Sequence, residues 1–96
     1  MAGNNEIKVR YRLLIFGELN DKKFRQDIKR KAKRCFVAGL VRILSDDKLE
    51  IILEGEKRAA TKVFVWVLKK PRLVKIRRLE SSTETFLNEF KGFQVK

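Results

Sequence analysis

The sequence predicts an α+β sandwich, in the order β-α-β-β-α-β plus a short terminal strand. In that split βαβ arrangement two helices cover one face of an antiparallel sheet. Three observations carry the prediction. Apolar and polar residues alternate near the start, with Val9, Tyr11, Leu13 and Ile15 against Lys8, Arg10, Arg12 and Leu14. Two stretches instead repeat apolar residues every three or four positions: Phe24, Ile28, Ala32, Cys35 and Phe36, then Ala60, Val63, Phe64, Val67 and Leu68. Glycines and the single proline, Pro71, punctuate these segments.

Residues 7–16 read as the first strand, and the loop 17–21 breaks it. Asn20 or Asp21 can cap the helix that follows, and Gly39 marks that helix's end. Residues 40–44 and 49–53 are short strands joined by a hairpin turn at Ser45-Asp46-Asp47-Lys48. The second helix spans residues 59–69; β-branched Val65 alone would allow a strand, and Pro71 stops the segment. Residues 73–79 form a strand with basic residues interleaved, and Phe93 and Val95 alternate in a last short strand. Residues 1–6 are expected as a flexible N-terminus and 7–96 as a single domain.

Composition narrows the class of function. The net charge is +12, from 24 Lys and Arg against 12 Asp and Glu. A field of that sign attracts nucleic acid, phosphorylated ligands or an anionic membrane surface. The plainer reading is solubility in a thermophile cytosol, since Lys, Arg, Glu and Ile abound and histidine is absent. No apolar run reaches the ~18 residues a membrane span needs, and residues 1–6 lack the features of a signal peptide. The lone Cys35 cannot form an internal disulfide, which points to a reduced, cytoplasmic setting. With no histidine or second cysteine, neither a metal nor a cofactor is expected, and Cys35 reads as a small buried hydrophobe. Trp66 reads as partly buried packing.

The chemistry is concentrated at Phe24-Arg25. A strand leads into the polar loop Gly17-Glu18-Leu19-Asn20-Asp21-Lys22-Lys23, and the loop into a helix with Arg25 in its first turn. Free backbone N–H groups, the helix dipole and a fixed positive charge meet there, which makes an anion site. A second candidate is a basic sheet face: Arg10, Arg12, Arg42, Lys75 and Arg77 share one strand parity, opposite the core. It would suit nucleic acid or an acidic protein, although no aromatic stacking platform shares that parity, and Glu50 and Glu54 on the adjoining strand neutralise part of it.

These segments resemble the acylphosphatase family over nearly the whole chain. The family's G-x-V-Q-G-V-x-F-R appears as residues 17–25, from Gly17 to Phe24-Arg25, with Ala32 seven positions on. Its G-x-V-R-N-x-x-D-G appears as Gly39-Leu40-Val41-Arg42-Ile43-Leu44-Ser45-Asp46-Asp47, continuing to Gly55. Its W-L-x-x-G-P is similar to Trp66-Val67-Leu68-Lys69-Lys70-Pro71, and Phe90-Lys91-Gly92-Phe93-Gln94-Val95 resembles its closing strand.

The resemblance implies a ferredoxin-like fold and metal-free hydrolysis of acyl phosphates. It implies that Arg25, with the N–H groups of the loop residues Glu18, Leu19, Asn20, Asp21, Lys22, Lys23 and Phe24, binds the phosphoryl group. The asparagine amide that positions the attacking water falls where this chain has Ile43, which has neither donor nor acceptor. By strand alternation Ile43 is expected to extend the core beside Val41, or to form an apolar floor for some other ligand. Asp21 stands where the family has a glycine, four residues before Arg25, and the two could pair and compete with an anion. Asn20 as a substitute water-positioner is the lesser reading beside a cap or turn role. The expectation is a monomer that binds a phosphate-bearing small molecule or inorganic anion, with hydrolysis weak or absent.

Overall fold

The computed structural model describes residues 7–18, 22–69 and 75–96. Strands β1 (Lys8–Glu18), β2 (Ala38–Ser45), β3 (Lys48–Glu56), β4 (Lys75–Glu84) and β5 (Phe93–Val95) alternate with helices α1 (Lys22–Arg34) and α2 (Lys57–Leu68) as the sequence predicts. They form one five-stranded sheet in the order β4-β1-β3-β2-β5. All neighbours are antiparallel except β5, which runs parallel to β2.

One face of the sheet is the core. Val9, Leu13 and Ile15 of β1, Val41 of β2, and Leu49, Ile51 and Leu53 of β3 pack beneath Phe24, Ile28 and Ala32 of α1 and Ala60, Val63 and Val67 of α2. α1 lies over β2 and β5, and α2 over β3 and β1. Tyr11 meets Phe64 edge-on, with ring centroids 5.5 Å apart. Cys35 and Trp66 are half-buried against this core.

β4 and β5 lie on opposite edges, so the chain must cross between them, and residues 85–92 make the crossing. Glu54 of β3 anchors it: its carboxylate accepts the Leu87 N–H at 3.0 Å and the Glu89 N–H at 2.8 Å.

Three expectations need correction. Gly39 does not end the helix. It lies inside β2, where a Cβ would stand 1.8 Å from the Ile52 carbonyl oxygen, so close strand approach requires the glycine. The helix ends at Arg34, and the turn that follows places Phe36 in a left-handed conformation at φ 59. Phe36, counted on the apolar stripe by its spacing, is therefore turned outward and is 92% exposed. β4 extends five residues beyond the expected end, because Ser81, Ser82 and Thr83 keep pairing with β1 even though they bury nothing apolar. Pro71 and the expected start of that strand lie outside the described residues.

Candidate active site

β1 and β2 point the same way, since both are antiparallel to β3. α1 follows β1, packs over β2 and returns, so its first turn stands at the end of the sheet where both strands finish. Phe24 is fully buried and pins that turn to the core. Its neighbour Arg25 is half-buried, while Glu18, Lys22 and Lys23 are exposed. The expected loop residues Leu19, Asn20 and Asp21 lie outside the described residues.

Gly17 closes β1 against two neighbours. A Cβ there would lie 1.9 Å from the Lys75 carbonyl oxygen, and its N–H donates to the Asp47 carbonyl at 3.0 Å. The hairpin turn is thereby tied to the root of the loop. Asp47 also accepts the Ser45 hydroxyl at 3.0 Å and the Arg77 guanidinium at 3.2 Å. Those contacts, the Ser45 hydroxyl first, hold its carboxyl below the usual carboxylate range.

α1 begins against its own dipole. Its first turn holds Lys22, Lys23 and Arg25 and no acidic residue. Cations at a helix start are unfavourable by some tenths of a kcal/mol each, and a bound anion reverses that sign. Asp27, one turn on and buried, takes Arg30 at 2.8 Å and Lys23 at 3.6 Å.

Ile43 pairs with Leu49, which pairs in turn with Ile15. Ile43 thus sits on the helix-covered face, two strands (~10 Å) from Ile15, at the end where α1 begins. The face matches the expectation and the burial does not. Ile43 is 45% exposed while Val41, one row deeper, is fully buried. Leu49 and Ile15 in the same row are fully buried, so the cover is lost only over the end of β2, and Ile43 does not extend the core there. Its side chain has neither a donor nor an acceptor.

The basic sheet face is assembled but occupied from within. Arg10 is buried and donates to Glu54 at 3.0 Å, Glu84 at 3.0 Å and Glu89 at 2.9 Å. Burial opposes its charge, yet the three carboxylates outweigh that and raise its pKa further above the guanidinium range. Arg12 and Arg42 both donate to the buried Glu50 at 2.6 Å. Burial works against the Glu50 and Glu54 charges too, and their hydrogen bonds still hold both carboxyls below their ordinary value. Arg77 leaves the set: the register shifts between Phe16 and Gly17, so Arg78 stands opposite Phe16 on the open face and Arg77 reaches Asp47. Lys75 pairs in register with Glu18 at the site end. Sequence reasoning saw Glu50 and Glu54 as partial neutralisers; a bulge and a triple-carboxylate cluster leave no signal in a parity count.

Among the described residues, no group of three His, Cys, Asp or Glu is placed to hold a metal ion, and no helix is long and apolar enough to cross a membrane.

The fold and this helix start together define an α/β sandwich with a half-buried arginine in the first turn of the helix that follows its first strand. The acylphosphatase family model matches residues 11–95, and the chain belongs to the acylphosphatase family. An acylphosphatase from Aeropyrum pernix is 32% identical over 92% of this chain and 88% of its own. One from Pyrobaculum aerophilum is 36% identical over 90% and 92%. The crystal structure of acylphosphatase from Bacillus subtilis superposes with a TM-score of 0.81 at 22% identity, over 92% of this chain and 98% of that one, a likeness of fold.

Proposed function

We propose that this protein binds the phosphoryl group of a small molecule, or an inorganic anion, at Arg25 and the backbone N–H groups of residues 18–24, and hydrolyses acyl phosphates weakly or not at all. Family membership and the cationic first turn of α1 support the binding half. The observation that carries the catalytic half is Ile43, 45% exposed at the site end of β2. Phosphoryl transfer needs charge stabilisation and a nucleophile held in line. Arg25 supplies the first, and an isoleucine cannot supply the second. Removing one polar group that acts in the transition state costs roughly 100- to 1,000-fold in rate. The ion pairs of Arg10, Arg12 and Arg42 weigh against the alternative of a binding module on the open sheet face.

The test pairs binding with turnover. Phosphate titration followed by NMR is expected to shift the amides of Glu18 and Lys22–Arg25, and Arg25→Ala to abolish the shifts. Benzoyl phosphate hydrolysis is expected to be slow or undetectable. Silent amides overturn the binding half, and turnover typical of the family overturns the catalytic half.

A further inference from the structure

Charge in this molecule is concentrated on one helix. α1 holds eight Lys and Arg and one Asp, a net +7 of the chain's +12. By helical period Lys22, Lys23, Lys29, Arg30, Lys33 and Arg34 fall on a single outer stripe. All are exposed except Lys29, which is half-buried. Lys29 and Lys33, and Arg30 and Arg34, stand four apart, a spacing at which like charges destabilise a helix. The stripe is ~20 Å long, at 1.5 Å per residue.

At its end comes a second cost. The helix closes with the Val37 N–H on the Ala32 carbonyl at 2.9 Å and the Phe36 N–H on the Lys33 carbonyl at 3.1 Å. In this closing motif the residue in Phe36's position is left-handed, and glycine takes it most easily. Phe36 takes it at φ 59 and is 92% exposed, so burial does not repay the strain. An outlier of that kind points to a use outside the fold. Phe36 lines a groove of about 390 Å³ together with Phe86, Asn88, Phe90 and Lys8. Asn88 is at φ 54, the other positive-φ residue besides glycine among those described. Both left-handed non-glycine residues among those described therefore line one groove.

We propose that the α1 stripe and this groove bind single-stranded nucleic acid, with phosphates along the helix and a base stacked on Phe36; Phe86 and Phe90 are half-buried walls of the groove, and Arg10 lies over the Phe90 ring at 5.6 Å. A basic track beside aromatic faces is how single strands are held without sequence preference. A ring exposed this fully offers a π-face, which every base matches and which charge attraction to an acidic protein does not need. Asn88 has both a donor and an acceptor for a base edge. Glu54 also lines the groove, but Arg10 and the N–H groups of Leu87 and Glu89 occupy its carboxylate. On the sheet face the one aromatic of that strand parity in β1, Phe16, already has Lys48 and Arg78 over its ring, whereas the ring of Phe36 is exposed.

The test is fluorescence anisotropy with a labelled oligo(U) of about twelve nucleotides, inside the ~4–16 range of single-strand sites. Neutralising four phosphates gives a slope near −3 in log K against log salt, a roughly 50-fold loss between 50 and 200 mM. Phe36→Gly suits the left-handed position and keeps the fold, and it is expected to weaken binding roughly 5- to 150-fold. Lys33→Glu with Arg34→Glu is expected to weaken binding and flatten the salt slope. No saturable binding overturns the proposal. So does unchanged affinity in Phe36→Gly, or equal displacement by poly-glutamate at matched charge, which assigns the stripe to an acidic protein. Loss of binding in Arg25→Ala with Phe36→Gly unaffected places the oligonucleotide in the phosphate site and also overturns it.

Discussion

At its start α1 presents Arg25, half-buried, at the end of the sheet where β2 carries Ile43; just past its end stands Phe36, 92% exposed in a left-handed turn. On the proposed reading, the first end holds a hydrocarbon in place of a water-positioning amide. The second holds an aromatic ring where backbone geometry favours glycine. Between them Phe24, Ile28 and Ala32 are fully buried and fix the helix to the sheet. The difference teaches that positions beside the core stripe at both ends of this helix, Arg25 and Phe36, are set by something other than core packing.

Removing the part that both ends share has the largest expected effect. Phe24→Ala should cost about 3–5 kcal/mol of stability by leaving a cavity under the first turn. Urea unfolding measures it, and a cost below about 1 kcal/mol would mean that α1 is held by something other than its core stripe. Glu54→Gln acts only at the far end, where the crossing 85–92 is anchored, and should cost about 1–3 kcal/mol. Hydrogen exchange at the Leu87 and Glu89 amides should quicken while exchange in the first turn of α1 stays unchanged.

Acid sharpens the same contrast. Glu50 and Glu54 have folded pKa values below the ordinary 4.5, so their contribution is complete above that value. As pH falls through about 4.5 the unfolded chain binds protons first, and stability drops progressively until the folded carboxyls also protonate. Thermal melts between pH 7 and 3 should show this loss, reduced in Glu54→Gln. The smallest effect is a gain: Phe36→Gly should stabilise by about 0.5–1 kcal/mol, because relief of the left-handed strain exceeds glycine's extra unfolded-state entropy. A lowered melting temperature would show that Phe36 packs in a way its exposure denies.

The periodicities of Val9–Ile15 and of Phe24–Ala32 made the order of elements and the covered face legible, since each alternation had a core to answer to. Phe36 misled because spacing three or four residues beyond the stripe carries no information about where the helix stops. Gly39 misled because a glycine required by close strand approach looks the same in sequence as one that caps a helix. Arg25 was legible as a site position by its place in the first turn after a polar loop, and Ile43 only through the family pattern. The exposure of Ile43 was not, because alternation assigns a face and cannot say how far the helices reach along it. The pairing of Arg10 with three carboxylates joins residues from three separate parts of the chain, and no local pattern announces such a cluster.

Benzoyl phosphate hydrolysis by the wild type, Ile43→Asn and Ile43→Asn with Arg25→Ala tests the central claim most directly. A cradle that lacks only its water-positioner should gain roughly 100- to 1,000-fold in rate with the asparagine, and should lose that gain when Arg25 is removed. A wild type already as fast as its relatives, or an asparagine variant no faster than the wild type, would contradict it.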